Sequence, residues 1–277
     1  MNTGFWSSPR LRVAAAAMVV FNGFFPAIWI LFTSLKREVE LVQRPITWWP
    51  HAPTLHNYVQ AFTDQPLLRY LANSLIVAGL ATLCSLFVAA CAAYAIARLN
   101  LKRRQLILTI IVASSMFPLV TLLVPIFETM RALNLLNTYT ALVLPYIVLN
   151  LPVCTLVLVS FFQSIPKDLE NAAMIDGCTR IGTLWHVVIP LAAPGVFTAG
   201  ILAFVNAWDE FLLALSLNAS ASMRTLPVGI TLYQGEFSFP WPIISAALIV
   251  AIVPIAVLIA FFQERVVGGL TQGGLKG

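Results

Sequence analysis

The sequence predicts an all-α polytopic membrane protein of six spans, and three observations carry that expectation. Of the 277 residues, 60% are hydrophobic and only 10% are charged, where an ordinary soluble domain has about 25% charged residues. Six stretches lack Asp, Glu, Lys and Arg altogether: residues 13–35, 70–97, 105–127, 132–166, 181–208 and 237–263, together 164 residues. Each exceeds the ~20 apolar residues a helix needs to cross a ~30 Å hydrocarbon core, where every backbone N–H and C=O has to be satisfied within its own segment. A membrane barrel would instead show strands of about ten residues with alternating polarity.

The first span, about 13–35, follows Arg10 and Arg12 as a secretory signal would. Its length exceeds the roughly 7–15 residues of a signal core, and Lys36-Arg37 stands where a small-residue cleavage site belongs, so it reads as a retained helix. Residues 36–66 form an external segment with Pro45, Pro50, Pro53 and Pro66, and with Trp48 and Trp49 suited to a membrane interface. The second span, about 69–97, places Ala89, Ala93 and Ala97 at a fourfold spacing that lets another helix approach closely. A charged turn from Arg98 to Arg104 leads into the third span, about 105–127, with Pro118 and Pro125. The fourth, about 139–163, holds Pro145 and Pro152. The fifth runs about 196–217, and the sixth, about 242–263, holds Pro254. Interior prolines remove a backbone hydrogen bond and kink a helix. Residues 164–190 form a cytoplasmic loop and 264–277 a cytoplasmic tail, and the whole of 1–277 reads as one transmembrane domain.

Charge distribution sets the expected orientation. Ten of the sixteen basic residues fall in alternate connections: Arg10, Arg12, Arg98, Lys102, Arg103, Arg104, Lys167, Arg180, Arg265 and Lys276. The positive-inside rule then puts both termini in the cytoplasm. Topology accounts for this basicity, so a nucleic-acid partner is not expected. The four cysteines form no CxxC pair and read as small hydrophobes. His51 and His56 lack a third ligand, so no metal site is expected. No GxSxG, HExxH or other catalytic set occurs.

The informative segment is residues 164–195, SIPKDLENAAMIDGCTRIGTLWHVVIPLAAPG. Pro166 suits the first turn of a helix, Asp168 and Glu170 complement its N-terminal dipole, and Gly177 stands where a C-terminal stop belongs. The spacing predicts a helix of about ten residues with Ile165, Leu169, Ala172 and Ala173 on one side. Periodicity alone leaves open a helix lying on lipid or on its own bundle.

The order Glu170, Asn171, Ala172, Ala173, Asp176, Gly177 and then Ile189-Pro190 resembles the EAA loop of ABC-importer permeases. Asn206 to Phe211, Thr225 to Gly229 and the tail from Gly269 to Gly277 are similar to the sugar-uptake, MalG-type branch, so the resemblance covers essentially the whole chain. It implies a type I importer fold in which Glu170, Asn171, Ala172, Ala173, Asp176 and Gly177 couple to a homodimeric cytoplasmic ATPase. Gln272, Gly273, Gly274 and Lys276 would touch that dimer as well. It further implies a second, distinct permease, an extracytoplasmic solute-binding protein, a sugar or related polyol as solute, and ATP and Mg held by the ATPase with no cofactor in this chain. Two positions depart from the pattern: Asn171 stands where Glu is usual, and Leu184 where Phe is frequent. The glycines from Gly269 to Gly274 lack the Lys-Ser/Thr of a phosphate loop.

Asp209 and Glu210 are acids inside an expected span. A charge at that depth costs at least about 2.5 kcal/mol unless it faces water or a partner. Asn73, Asn150, Asn206, Trp208, Asp209 and Glu210 supply the amide, carboxylate and aromatic groups that bind hydroxyl-rich solutes, and are the candidate pathway residues. An ion-coupled secondary transporter using Asp209 or Glu210 is the alternative class, and a glycerol phosphate or a sulfonated sugar is the alternative solute.

Overall fold

The computed structural model describes residues 9–235 and 238–274, with side chains described for 11–235 and 238–262. The elements among them are helical. They run α1 (Pro9–Leu35), α2 (Glu38–Val42), α3 (His56–Asp64), α4 (Leu67–Arg98), α5 (Arg104–Ser115), α6 (Leu119–Ala132), α7 (Tyr139–Ser164), α8 (Lys167–Ile175) and α9 (Arg180–Thr183). After a π-helical turn at Leu184–Val188 come α10 (Ile189–Leu191), α11 (Ala193–Trp208), α12 (Leu212–Leu217), α13 (Leu226–Thr231) and α14 (Trp241–Gly274).

Four helices are long and apolar enough to cross a membrane unbroken: Leu11–Leu35, Leu67–Arg98, Tyr139–Ser164 and Trp241–Phe262. Two bent helix pairs make six if each is counted as one span. In the first pair, α5 and α6 meet at 89°. Pro118 is the cause, because its backbone is extended (ψ 126°) and its ring drives the preceding residue out of the helical region. Pro125, Pro145, Pro152 and Pro254 lie within continuous helices.

The expected fifth span, one helix over 196–217, is corrected. Its helix begins earlier, after an 84° bend at Ala192 between Arg180–Leu191 and Ala193–Trp208. It also ends earlier: α11 stops at Trp208, residues Asp209 to Phe211 are not helical, and α12 resumes at Leu212. The break persists because a side chain replaces the missing backbone acceptors, as described below.

The chain forms two compact units, one from the described residues of Met1–Leu67 with Ile230–Val253, the other from Leu68–Gly229 with the described residues of Pro254–Gly277. In the first, Asn57 organises the segment after α1, its Nδ2 donating to the carbonyls of Ser34 and Lys36 at 2.8 Å each. Glu40 is buried and accepts the His51 amide at 2.9 Å. Lys36, also buried, donates to the Thr47 carbonyl and sits 5.0 Å from the centre of the Trp29 ring, so the charge is solvated by a carbonyl dipole and a π face. The 36–66 connection is thus a folded cap containing two short helices.

In the second unit α4, α7 and α11 share one core. Ala89, Ala93 and Ala97 are buried there with Leu158, Phe162, Ala199 and Ala203, so the fourfold alanine spacing serves close packing of backbones. At Gly195 the approach is close enough that a Cβ would lie 2.8 Å from Phe161 Cβ; only glycine fits.

Candidate functional site

The segment expected to couple is a helix. α8 starts after Pro166, carries Asp168 and Glu170 in its first turn, and ends on Gly177 at φ +93°. The amide of Cys178 bonds back to the Ala173 carbonyl at 2.9 Å and that of Gly177 to Met174 at 3.2 Å. This six-to-one closure needs a left-handed residue, which is why glycine occupies 177. Thr179 then caps α9, accepting the Gly182 amide at 3.1 Å.

The faces of α8 differ sharply. Glu170 points inward and is 5% exposed. Arg98 Nε lies 2.5 Å from its Oε1, and Tyr94 donates its hydroxyl to Oε2 at 3.2 Å. Arg98 Nη2 also donates to the Ile165 carbonyl at 2.9 Å, at the end of α7. Glu170 therefore offers no charge to the surface in place of the departure at Asn171; its carboxylate is consumed within the bundle. Outward are Asn171, Ala172 and Asp176, with Ala173 half-buried. Leu169 and Ile175, 86% exposed, extend this side with apolar surface, and Ile181 continues it on α9.

The candidate pathway residues separate into three groups. Asn73 is buried and saturated: its Nδ2 donates to the carbonyls of Ser222 at 3.0 Å and Arg224 at 2.8 Å, and its Oδ1 accepts the Tyr139 hydroxyl at 2.8 Å. It anchors the loop between α12 and α13 onto α4. Asn150, Trp208 and Glu210 are also turned into the protein. Asn150 Nδ2 donates to the Ala203 carbonyl at 3.3 Å, and Trp208 is buried and stacks on Phe204 with ring centres 5.6 Å apart. Glu210 accepts the Tyr146 hydroxyl at 2.6 Å and the amides of Leu213 and Ala214 at 2.8 and 3.1 Å. From the position before the N-cap residue Phe211, its carboxylate closes the N-terminus of α12, satisfying donors that lipid could not. Asn206 and Asp209 form the third group, with exposed side chains. Asn206 still reaches Asn150 Oδ1 at 3.4 Å. Gln272, Gly273, Gly274 and Lys276 fall outside the residues whose side chains are described.

The chain matches the model of the binding-protein-dependent transport system inner membrane component family over residues 68–272. It belongs to this family. As a permease of a binding-protein-dependent ABC importer it is 71% identical to the sulfoquinovosyl glycerol transport system permease protein SmoH of Agrobacterium fabrum, covering 99% of this chain and 96% of that one. It is 38% identical to the trehalose/maltose transport system permease protein MalG of Thermococcus litoralis, covering 96% of each. A crystal structure of a bacterial ABC transporter that imports the acidic polysaccharide alginate superposes with a TM-score of 0.79 over 95% of this chain and 99% of that one, at 20% identity. That agreement establishes the fold: the all-α architecture that the charge-free stretches implied, in the importer permease form that the resemblance implied.

Three participants escaped the sequence reading. Arg98 counts there only as a cytoplasmic positive charge, and Tyr94 and Tyr146 are lost in apolar runs. A hydroxyl or guanidinium on an otherwise apolar helix is the signal they share, since a buried polar group needs a partner.

Proposed function

We propose that this permease serves a carbohydrate importer whose solute is a sulfonated sugar glycoside. The observation that carries the reading is the 71% identity, over nearly the full length of both chains, to a permease for sulfoquinovosyl glycerol. The resemblance implied a sugar or related polyol, with a sulfonated sugar among the alternatives, and this relative supports the sulfonated sugar.

In this account the chain is non-catalytic. It forms half of the pathway beside a second, distinct permease in the lipid bilayer, with both termini in the cytoplasm, and receives its solute from an extracytoplasmic binding protein. A homodimeric ATPase holds ATP and Mg. The apolar exposed side of α8, with Ala172 at its centre and Asn171 and Asp176 flanking, docks in a cleft of one ATPase subunit. Alanine permits close approach, and a short helix with a fixed C-terminal closure transmits displacement where a loop would absorb it. The tail residues Gln272, Gly273, Gly274 and Lys276 contact the same dimer. Asn206 and Asp209 line the pathway, while Asn73, Asn150, Trp208 and Glu210 hold its walls.

The test is purification of this chain from its native cells in mild detergent with mass spectrometry of the companions. A second permease, a Walker-motif ATPase and a binding protein that retains a sulfonated glycoside are expected. A chain that travels alone while other complexes survive contradicts the reading.

A further inference from the structure

We infer that Arg98, Glu170 and Tyr94 form a strut that makes α8 and the cytoplasmic end of α4 one rigid body, so that motion imposed on α8 is delivered to the second span. The inference rests on the reading of α8 as the docking helix.

Three contacts converge on this point. Arg98 is the last residue of α4, and its guanidinium bridges the Glu170 carboxylate at 2.5 Å and the Ile165 carbonyl at 2.9 Å. One side chain thus ties α4 to both α8 and the α7–α8 corner. Tyr94, one turn earlier on the same side of α4, reaches the second oxygen of Glu170 at 3.2 Å. Both ionic side chains are only 6% exposed. Such a pair is not a surface bridge that opens with thermal motion, because separating it would leave two charges without water. A guanidinium held at two points, a carboxylate oxygen and a backbone carbonyl, also fixes direction, where a lysine would act as a swivelling point charge.

α8 packs against α9 and the π-helical turn that follow it in the chain. α8 is reached from α7 through Ile165-Pro166, extended at both residues (ψ 129° and 131°), and is left through a single left-handed glycine. α8 and the elements packed on it would tilt together on these two connections. The strut adds the direct polar attachment of α8 to α4. Arg98 and Glu170 are accordingly positioning residues: they touch neither solute nor nucleotide and act through the orientation of α8.

The experiment uses the whole importer in lipid nanodiscs and proteoliposomes, with wild type, Glu170→Gln, the apolar double variant Arg98→Met/Glu170→Leu, and the exchanged pair Arg98→Glu/Glu170→Arg. The double variant leaves no buried charge and keeps the chain foldable where a single change fails. Spin labels at the exposed positions Lys102 and Asp168 report the distance between the end of α4 and α8. Expected is a single narrow distance in wild type with and without ATP, and a broadened one in the double variant. Uptake per ATP hydrolysed falls by about tenfold in that variant while ATPase capture and hydrolysis persist. Partial return in the exchanged pair adds support. An unchanged, narrow distance with normal uptake per ATP in the double variant overturns the strut. The label measurement needs no solute, so a complex that imports no sulfonated glycoside contradicts the proposed function and leaves the strut to be judged by distance alone.

Discussion

The Tyr146 hydroxyl donates to Glu210 Oε2 at 2.6 Å, joining the buried middle of α7 to the break that separates α11 from α12. The same carboxylate takes two amides of α12. One acid thus stabilises a helix interruption inside the apolar region, and the neighbouring acid is left free to face outward.

Glu210 and Asp209 should therefore respond differently to substitution. Glu210→Ala strands two α12 amides and the Tyr146 hydroxyl and is expected to cost about 1–3 kcal/mol, visible as earlier thermal unfolding of the purified importer. Asp209→Asn is expected to leave the unfolding temperature unchanged and to lower solute uptake. Equal losses of stability from the two changes would contradict the division of roles.

Close approach at Gly195 gives a packing test. Because a methyl there meets the root of the Phe161 side chain, Gly195→Ala has to push α11 away from α7, with an expected penalty of about 1–3 kcal/mol. Gly79 on α4 has open space around the position of a Cβ. Gly79→Ala should stay within about 0.5 kcal/mol of wild type in the same thermal assay.

In the proposed docking of α8, a charge on its exposed apolar face should block the contact. Ala172→Arg is expected to reduce ATPase capture by at least about tenfold while the second permease still co-purifies. Gly177→Ala forces a β-carbon into a left-handed position (φ +93°) at a penalty of about 1–2 kcal/mol. It should weaken capture by loosening the end of α8. Pull-down against tagged ATPase separates the two effects, since only the glycine variant also lowers thermal stability.

Glu40 predicts an acid limit for the folded cap. The His51 amide holds its carboxyl below the ordinary value of 4.5. A carboxylate lowered on folding contributes stability that is complete above its unfolded pKa and is lost as pH falls through the folded one. Heat resistance should thus be flat above about pH 5 and decline below the ordinary carboxylate range. Glu40→Gln should be less stable at neutral pH and show a shallower decline in acid; an identical decline would assign the acid limit to other groups.

The six spans were legible because burial in lipid forbids unpaired charge over about 20 residues, and α8 because its start, its acids and Gly177 are local signals. The docking reading came from resemblance to other sequences. What escaped was tertiary. The break at Asp209 to Phe211 depends on Glu210 substituting for backbone acceptors, which no window of hydropathy encodes. Which acid of a neighbouring pair turns inward depends on a tyrosine or arginine far along the chain: Glu170 on Arg98, Glu210 on Tyr146. Pro118 stands at the break of its span with an extended backbone while Pro145 and Pro152 lie inside a continuous helix, a difference that hydropathy does not encode.

Transport by the reconstituted importer decides the central claim. This chain, its companion permease, the ATPase and the binding protein would be placed in proteoliposomes and the uptake of labelled sulfoquinovosyl glycerol followed. Accumulation that requires ATP and the binding protein, and that collapses with Ala172→Arg, is the predicted result. Accumulation driven by a proton or sodium gradient without ATP, untouched by that substitution, would contradict it.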